Sequence, residues 1–287
     1  MKKIAIITDT SGIFQNVKID NVFVTPIKIL ASKNYETLTF DDEVDITRDQ
    51  IFTYLNEGYS VSTAQPSVND VIILTEKLLK KYSAVVFAVI SKNMSGFYNI
   101  LRIVQEEFGY KKVHIIDTLQ IGVPLTWLIM DLRKMLDDGK SFEELDEYTA
   151  NYQKRVSATI IIKNVKQMVK SGRVSGVKAL LIRIFKIKLI IKLEDGKWQY
   201  FDKSDSYDAT INRSLKCIDR IISFKSKGIK RIEIMSDLHN PSQEALCIAN
   251  IKKFIGDDSE IKMSKLPNSV IAHGGNDTFT IAIEAKE

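Results

Sequence analysis

Short apolar runs alternate with amphipathic segments through the first half of the chain. Such alternation is typical of βαβ units built around a parallel sheet. The pattern predicts strands at residues 4–8, 22–29, 84–90 and 112–116, and helices at 47–56, 67–82, 96–108, 119–138 and 142–155. We therefore expect an N-terminal three-layer α/β/α domain over residues 1–155.

The second half of the chain follows a different pattern, in which a hairpin precedes several helices. Asp195-Gly196 is a typical two-residue hairpin tip between apolar runs. Strands are predicted at 158–162, 187–193, 197–201, 231–235, 260–266, 270–272 and 278–284, and helices at 165–170, 209–228 and 241–254. The pattern predicts an α+β domain over residues 156–287.

The composition limits the class of protein. Of 287 residues, 45% are hydrophobic and 27% are charged, which excludes an intrinsically disordered chain. The apolar runs fall short of the ~20 residues that span a bilayer, so we expect no integral membrane segment. The pattern of the first residues is typical of a strand rather than of a signal peptide. Two cysteines are too few for a disulfide framework. These features predict a cytoplasmic protein.

The formal net charge of +5 hides a basic segment. Residues 148–193 contain eleven lysines and arginines and no acidic residue, a bias that favours an anionic partner. Only Phe185 lies between Lys163 and Leu193 as an aromatic residue, whereas single-stranded nucleic acids stack on several aromatic side chains. We therefore expect no nucleic acid partner.

Four loops at the predicted carboxyl ends of strands concentrate hydroxyl groups, where open parallel sheets bind ligands. They are Thr8-Asp9-Thr10-Ser11-Gly12, Ser62-Thr63-Ala64-Gln65-Pro66-Ser67, Ser91-Lys92-Asn93-Met94-Ser95-Gly96 and Asp117-Thr118. Two of them run directly into helices, whose first N–H groups attract anions. The cluster suits a carboxylate or a phosphate. For any one loop, the simpler explanation is that its Ser and Thr residues cap a helix, whereas four such loops together favour a binding site.

Most catalytic motifs are absent. No nucleophile elbow surrounds Ser95, the glycine-rich phosphate loops are missing, and the three histidines lack metal-ligand spacing. The sequence therefore predicts neither a metal nor a cofactor. Asp9 after the first strand, and a conceivable Ser95–His273–Asp117 triad, leave a second hypothesis open: a hydrolase or phosphotransferase that uses Ser95, Asp9 or His273.

His273 follows the predicted strand 270–272 and precedes Gly274-Gly275. Two glycines let another backbone or a ligand approach closely. The histidine is therefore either a hydrogen-bonded structural residue or a ligand contact.

The four loops, taken in order with two further motifs, resemble the DegV-like fatty-acid-binding family. The further motifs are Ser171-Gly172-Arg173-Val174-Ser175 and His273-Gly274-Gly275, and the resemblance spans essentially the whole chain. It implies two α/β domains with one long-chain fatty acid buried between them. The resemblance implies that Thr63 and Ser95 hold the carboxylate near His273. Ser62 and Gly96, in the same loops, are expected to contribute.

The resemblance also implies that the chain is a carrier rather than an enzyme. The acyl chain would occupy an apolar tunnel in the second domain. A separate ATP-dependent kinase would convert the acid to acyl-phosphate for phospholipid synthesis, and Arg173 is expected at the docking rim. This chain differs from the family pattern at Ser171, at Lys203-Ser204-Asp205 and at Asn276-Asp277. These differences fall at the docking surface and the head-group rim.

Overall fold

The computed structural model describes residues 3–14, 17–163, 167–168, 174–175, 187–236, 241–256 and 260–287. Its first half contains β1 (Ile4–Asp9), β2 (Val22–Thr25), β3 (Lys28–Lys33), β4 (Glu36–Asp41), α1 (Arg48–Asn56), β5 (Ser60–Ala64), α2 (Val68–Leu79), β6 (Ala84–Ala88), α3 (Phe97–Phe108), β7 (Val113–Ile116), α4 (Val123–Asp137) and α5 (Phe142–Gln153).

The parallel sheet predicted for the first half is confirmed, with strand order β2-β1-β6-β7. Successive residues of its strands pack on opposite faces, as the two-residue period of a strand requires. Ile6 and Val86 join one core cluster with α4, whereas Ile7 and Phe87 join another with α2 and α3. The sheet therefore lies between two helical layers.

The single strand predicted at 22–29 is wrong, because the chain forms two strands there in different sheets. β2 pairs with β1 in the parallel sheet, and β3 pairs antiparallel with β4 and β5. Pro26 lies between them and has no N–H to donate to a ladder. The resulting three-stranded sheet was not predicted, since β4 is mostly exposed and Leu38 and Phe40 are its only apolar residues.

The second half forms one seven-stranded mixed sheet with strand order β13-β12-β14-β8-β10-β11-β9. Its elements are β8 (Val156–Ile162), β9 (Val174–Ser175), β10 (Lys188–Glu194), β11 (Lys197–Ser204), α6 (Tyr207–Ile222), α7 (Phe224–Lys227), β12 (Ile229–Ser236), α8 (Pro241–Ile255), β13 (Lys262–Ser264), α9 (Asn268–Gly274) and β14 (Phe279–Ala285). The predicted hairpin is confirmed: Asp195 and Gly196 connect β10 and β11 with φ of 49° and 67°.

Two predictions for the second half are wrong. The strand at 270–272 is the middle of helix α9, because three consecutive apolar residues fit a buried helix as well as a strand. The helix at 209–228 is broken at Ser223, which adopts a left-handed conformation between α6 and α7. Most of the helix predicted at 165–170 lies outside the described residues.

A buried carboxylate on β14 gathers three cations. Glu284 is fully buried, and its Oε1 accepts from Arg155 Nε at 3.1 Å and from Lys230 Nζ at 2.9 Å. Its Oε2 forms an ion pair with Arg231 Nε at 3.1 Å. Arg155 precedes β8 directly, and the other two cations lie on β12. These charges join the neighbouring strands β12, β14 and β8 at one end of the second-half sheet.

The same cluster extends into the first half of the chain. Arg231 binds both carboxylate oxygens of Asp131 on α4, at 2.6 and 2.7 Å. Tyr148 on α5 donates its hydroxyl to Asp131 at 2.7 Å, and burial together with this carboxylate raises the pKa of Tyr148. A continuous ionic network therefore holds α4 and α5 against β12 and β14.

A second buried carboxylate holds the start of α9. Asp42 Oδ1 accepts from Asn268 Nδ2 at 2.9 Å, and Asp42 is fully buried. Burial raises the pKa of Asp42 to about 6, although hydrogen bonds from Thr10 and Asn268 act in the opposite direction. Gln167 Nε2 holds the other end of the helix by donating to the Ala272 carbonyl at 2.6 Å.

Replacing Glu284 by Gln leaves Arg155, Lys230 and Arg231 without their shared anion. Removing one partner of a buried ion pair costs about 3 kcal/mol or more, so we expect a loss of this size in the free energy of unfolding. Urea denaturation measures it. Glu144→Gln is the control, because its pair with Lys140 is exposed and glutamine keeps the capping contact at Ser141. Equal stability of Glu284→Gln and Glu144→Gln would contradict the importance of the network.

Asp42 predicts a pH dependence of stability. Its folded pKa of about 6 lies above the unfolded value of 3.8, so the folded state binds the proton more tightly and this carboxyl lowers stability as pH rises from 4 to 6. Asp42→Asn removes the charge and keeps an oxygen for Asn268. We expect the free energy of unfolding of Asp42→Asn to exceed that of the native chain by about 2 to 3 kcal/mol at pH 8. Near pH 4 we expect the two free energies of unfolding to be about equal.

Denaturation curves recorded across this pH range check the expectation. Asp20→Asn, at an exposed aspartate, is the matched control and is expected to leave the pH profile unchanged. A pH-independent difference between Asp42→Asn and the native chain would contradict this role of Asp42.

Candidate functional site

A cavity opens where the two halves of the chain meet. The cavity has a volume of about 80 Å³, smaller than the roughly 300–1,000 Å³ typical of sites that enclose drug-sized ligands. Its lining is mostly apolar, with polar side chains from β5, the start of α3 and α9. It comprises Ile27, Thr63, Ala64, Gln65, Ile90, Met94, Ser95, Gly96, Ile121, Ile160, Met168, Trp198, Ser269, Val270 and His273.

Thr63 and His273 meet in this cavity although 210 positions separate them. Thr63 Oγ1 lies 2.8 Å from His273 Nε2. Thr63 is near the end of β5, and His273 is in the last turn of α9 rather than at the end of a strand. Because Asn268 and Gln167 fix α9, the imidazole reaches a strand of the other half of the chain.

Ser95 and Gly96 bring the start of α3 to the same cavity. Ser95 Oγ accepts from the backbone N–H of Phe97 at 3.2 Å. Gly96 is the N-cap residue and provides no side-chain cap for the first turn, where the partial positive charge of a helix favours anions. A Cβ on Gly96 would lie 2.5 Å from Gln65 Oε1, so the end of the Gln65 side chain packs directly against Gly96.

Ser62 is an expected ligand-binding residue that does not line the cavity. Ser62 precedes Thr63 on β5, and neighbouring side chains of a strand point to opposite faces. Ser62 is accordingly not among the lining side chains. Arg173 lies outside the described residues.

Asp9 has a structural role. Its Oδ1 accepts from the Ser11 N–H at 2.8 Å, and its Oδ2 accepts from the Ile90 N–H at 2.7 Å. The side chain is fully buried, and this burial raises the pKa of Asp9. Asp9 therefore ties the end of β1 to the end of β6 and does not line the cavity.

Asp117 is not placed to complete a triad with Ser95 and His273. Its Oδ2 pairs with Lys92 Nζ at 2.6 Å, and its Oδ1 is buried without a hydrogen-bond partner. A catalytic triad requires an acid that orients the histidine, and Asp117 makes no such contact. Neither of the two proposed acids therefore supports the hydrolase or phosphotransferase hypothesis.

The hairpin of the second half docks on the loop that carries Ser95. Ser91 Oγ donates to the Gly196 carbonyl at 2.7 Å, and Asn93 Nδ2 donates to the Asp195 carbonyl at 2.8 Å. The hairpin also delivers Trp198 to the lining. The tip therefore positions the Ser95 loop and closes one side of the cavity.

Several lining residues were not singled out by sequence reasoning, among them Gln65, Trp198 and Ser269. Among the described residues, no group of three or more metal-ligating side chains is present. In the same part of the chain, no helix has the length and apolar character needed to cross a bilayer.

Comparison with known proteins identifies the family. The DegV family model matches residues 3–286. The DegV domain-containing protein UU190 of Ureaplasma parvum is 30% identical over 74% of this chain and 97% of its own length. A structure described as "Fatty Acid Binding of a DegV family Protein from Thermus thermophilus" superposes with a TM-score of 0.84 at 20% identity, covering 99% of this chain and all of that one.

A second solved structure has the same fold. The Streptococcus pneumoniae fatty acid kinase (Fak) B3 protein, loaded with linoleic acid, superposes with a TM-score of 0.77 at 20% identity. The superposition covers 99% of this chain and all of that one. Together with the match over residues 3–286, these similarities establish that the chain belongs to the DegV family.

Proposed function

We propose that this chain binds one long-chain fatty acid in the cavity between its halves. The observation that carries the proposal is the presence of the polar side chains of Thr63, Ser95 and His273 in a mostly apolar cavity. A fatty acid has the same division, with one anionic head and a long apolar chain. The fatty-acid ligands of the Thermus and Streptococcus proteins, which share the fold, support this ligand class.

The apolar lining would provide most of the affinity. Each CH₂ group removed from water contributes about 0.8 kcal/mol, so a long acyl chain gains far more from burial than its head group does. Ile90, Ile121, Ile160, Met168 and Trp198 offer such a surface from both halves of the chain. We propose that the tail lies against these side chains.

The head group would be held by neutral donors. The Thr63 hydroxyl can accept from His273 Nε2–H and direct its own hydrogen to the ligand, because a hydroxyl both donates and accepts. Ser95 adds a second hydroxyl at the start of α3. These donors keep the desolvation cost of the carboxylate low without a permanent ion pair.

We further propose that the chain is a carrier whose bound acid is phosphorylated by a separate ATP-dependent kinase. The fatty acid kinase (Fak) B3 protein, which has this fold, supports such a partnership. The expectation that Arg173 contributes to docking stays a prediction from the sequence.

The double variant Thr63→Ala, Ser95→Ala tests the head-group site. Hydrogen bonds to a charged group contribute about 1.5–3 kcal/mol each, so loss of two donors is expected to weaken binding of palmitate by about 100-fold or more. Calorimetric titration of delipidated protein measures this loss. Ser62→Ala is the matched control on β5, because Ser62 does not line the cavity, and its affinity is expected to equal that of the native chain.

Two outcomes would contradict the proposal at different levels. A native chain that takes up no palmitate would contradict fatty-acid binding itself. Unchanged affinity in the double variant, with normal binding by the native chain, would remove Thr63 and Ser95 from the head-group site.

A further inference from the structure

Ser269 lies on the same face of α9 as His273. The two residues are four positions apart in a helix that covers residues 268–274, and side chains at this spacing are neighbours on the helix surface. Both line the cavity. Since His273 contacts Thr63, Ser269 belongs to the same wall as the proposed head-group site.

The hydroxyl of Ser269 is buried and unpaired. The residue is 3% exposed, and its Oγ has no hydrogen-bond partner in the part of the chain that the structure describes. A buried hydroxyl without a partner is costly, and native proteins contain few of them. The other two hydroxyl groups of the lining each have one partner within the protein, Thr63 with His273 and Ser95 with the N–H of Phe97. Ser269 is thus the hydroxyl of the cavity that still lacks a partner among the described residues.

We propose that Ser269 donates a hydrogen bond to the carboxylate of the bound fatty acid and makes the site selective for acids over neutral lipids. The proposal rests on the proposed function and adds a third donor to it. A carboxylate offers about four lone-pair positions on its two oxygens, and Thr63 and Ser95 fill only part of them. Burial of the head group makes an additional donor valuable, because unfilled positions of a buried charge are costly.

A ligand-binding role and a structural role of Ser269 predict opposite effects on the unliganded chain. If the hydroxyl serves the ligand, Ser269→Ala removes an unpaired polar group from the interior, and the melting temperature of the unliganded protein stays the same or rises. If the hydroxyl serves the fold, the melting temperature falls. Only the proposal therefore predicts that Ser269→Ala weakens ligand binding without lowering the melting temperature of the unliganded protein.

The experiment compares palmitate with hexadecanol, which has the same chain length and no charge. For Ser269→Ala we expect about tenfold weaker binding of palmitate, a change of less than about threefold for hexadecanol, and no loss of melting temperature without ligand. Ser269→Cys retains the size of the side chain with a weak donor, and its palmitate affinity is expected to be intermediate. Ser214→Ala is the control, since Ser214 is a buried, unpaired hydroxyl on α6 outside the cavity.

Three results would overturn the proposal. One is a palmitate affinity of Ser269→Ala equal to that of the native chain, which would leave the proposed function standing. Another is an equal loss for palmitate and hexadecanol in both Ser269→Ala and Ser269→Cys, which would show a general effect on packing. The last is a native chain that binds no palmitate, which would remove the proposed function and this inference together.

Discussion

The buried charge network around Glu284 determines how the two halves of the chain meet. Arg155 and Arg231 reach this fully buried carboxylate, and Arg231 continues to Asp131 on α4. Removing one partner of a buried ion pair is costly, because it leaves the other charge buried without compensation. Together with the hydrogen bonds of Ser91 to Gly196 and of Asn268 to Asp42, the network joins the two halves of the chain that supply the walls of the cavity. The proposed ligand site depends on this arrangement of the two halves.

Helix α9 carries His273 and Ser269, two polar residues that line the cavity. Its start is tied to Asp42 through Asn268, and its end is tied to Gln167 through the Ala272 carbonyl. Arg48 adds a hydrogen bond to the Leu266 carbonyl just before the helix. A seven-residue helix is too short to be stable alone, so these tertiary contacts position it. They present His273 to Thr63 and leave Ser269 facing the cavity.

Much of the fold could be predicted from the sequence. The parallel sheet was visible because its buried strands are continuous apolar runs, and the hairpin because Asp195-Gly196 satisfies a turn that needs positive φ. The three-stranded sheet could not be predicted, since β4 is mostly exposed and its alternating apolar pattern is limited to Leu38 and Phe40. Residues 270–272 were assigned to a strand because an apolar run of three has no readable period.

Some residues of the candidate site could be predicted from the sequence, and others could not. Thr63 and Ser95 lie in hydroxyl-rich loops that can be recognised in the sequence. Their proximity to His273 depends on contacts between residues about 200 positions apart. Only the resemblance to a family suggested this proximity. Ser269 had no sequence signal, because a serine in a short apolar segment looks the same whether or not it faces a ligand.

The central claim is that the cavity holds a long-chain fatty acid, and native mass spectrometry of the chain purified from bacterial cells tests it most directly. The protein is isolated without added lipid, and its bound molecule is identified after extraction into organic solvent. We expect an excess mass equal to one long-chain fatty acid per chain, recovered as free acid in the extract. A chain that carries no lipid, and that takes up none when fatty acids are supplied, would contradict the account.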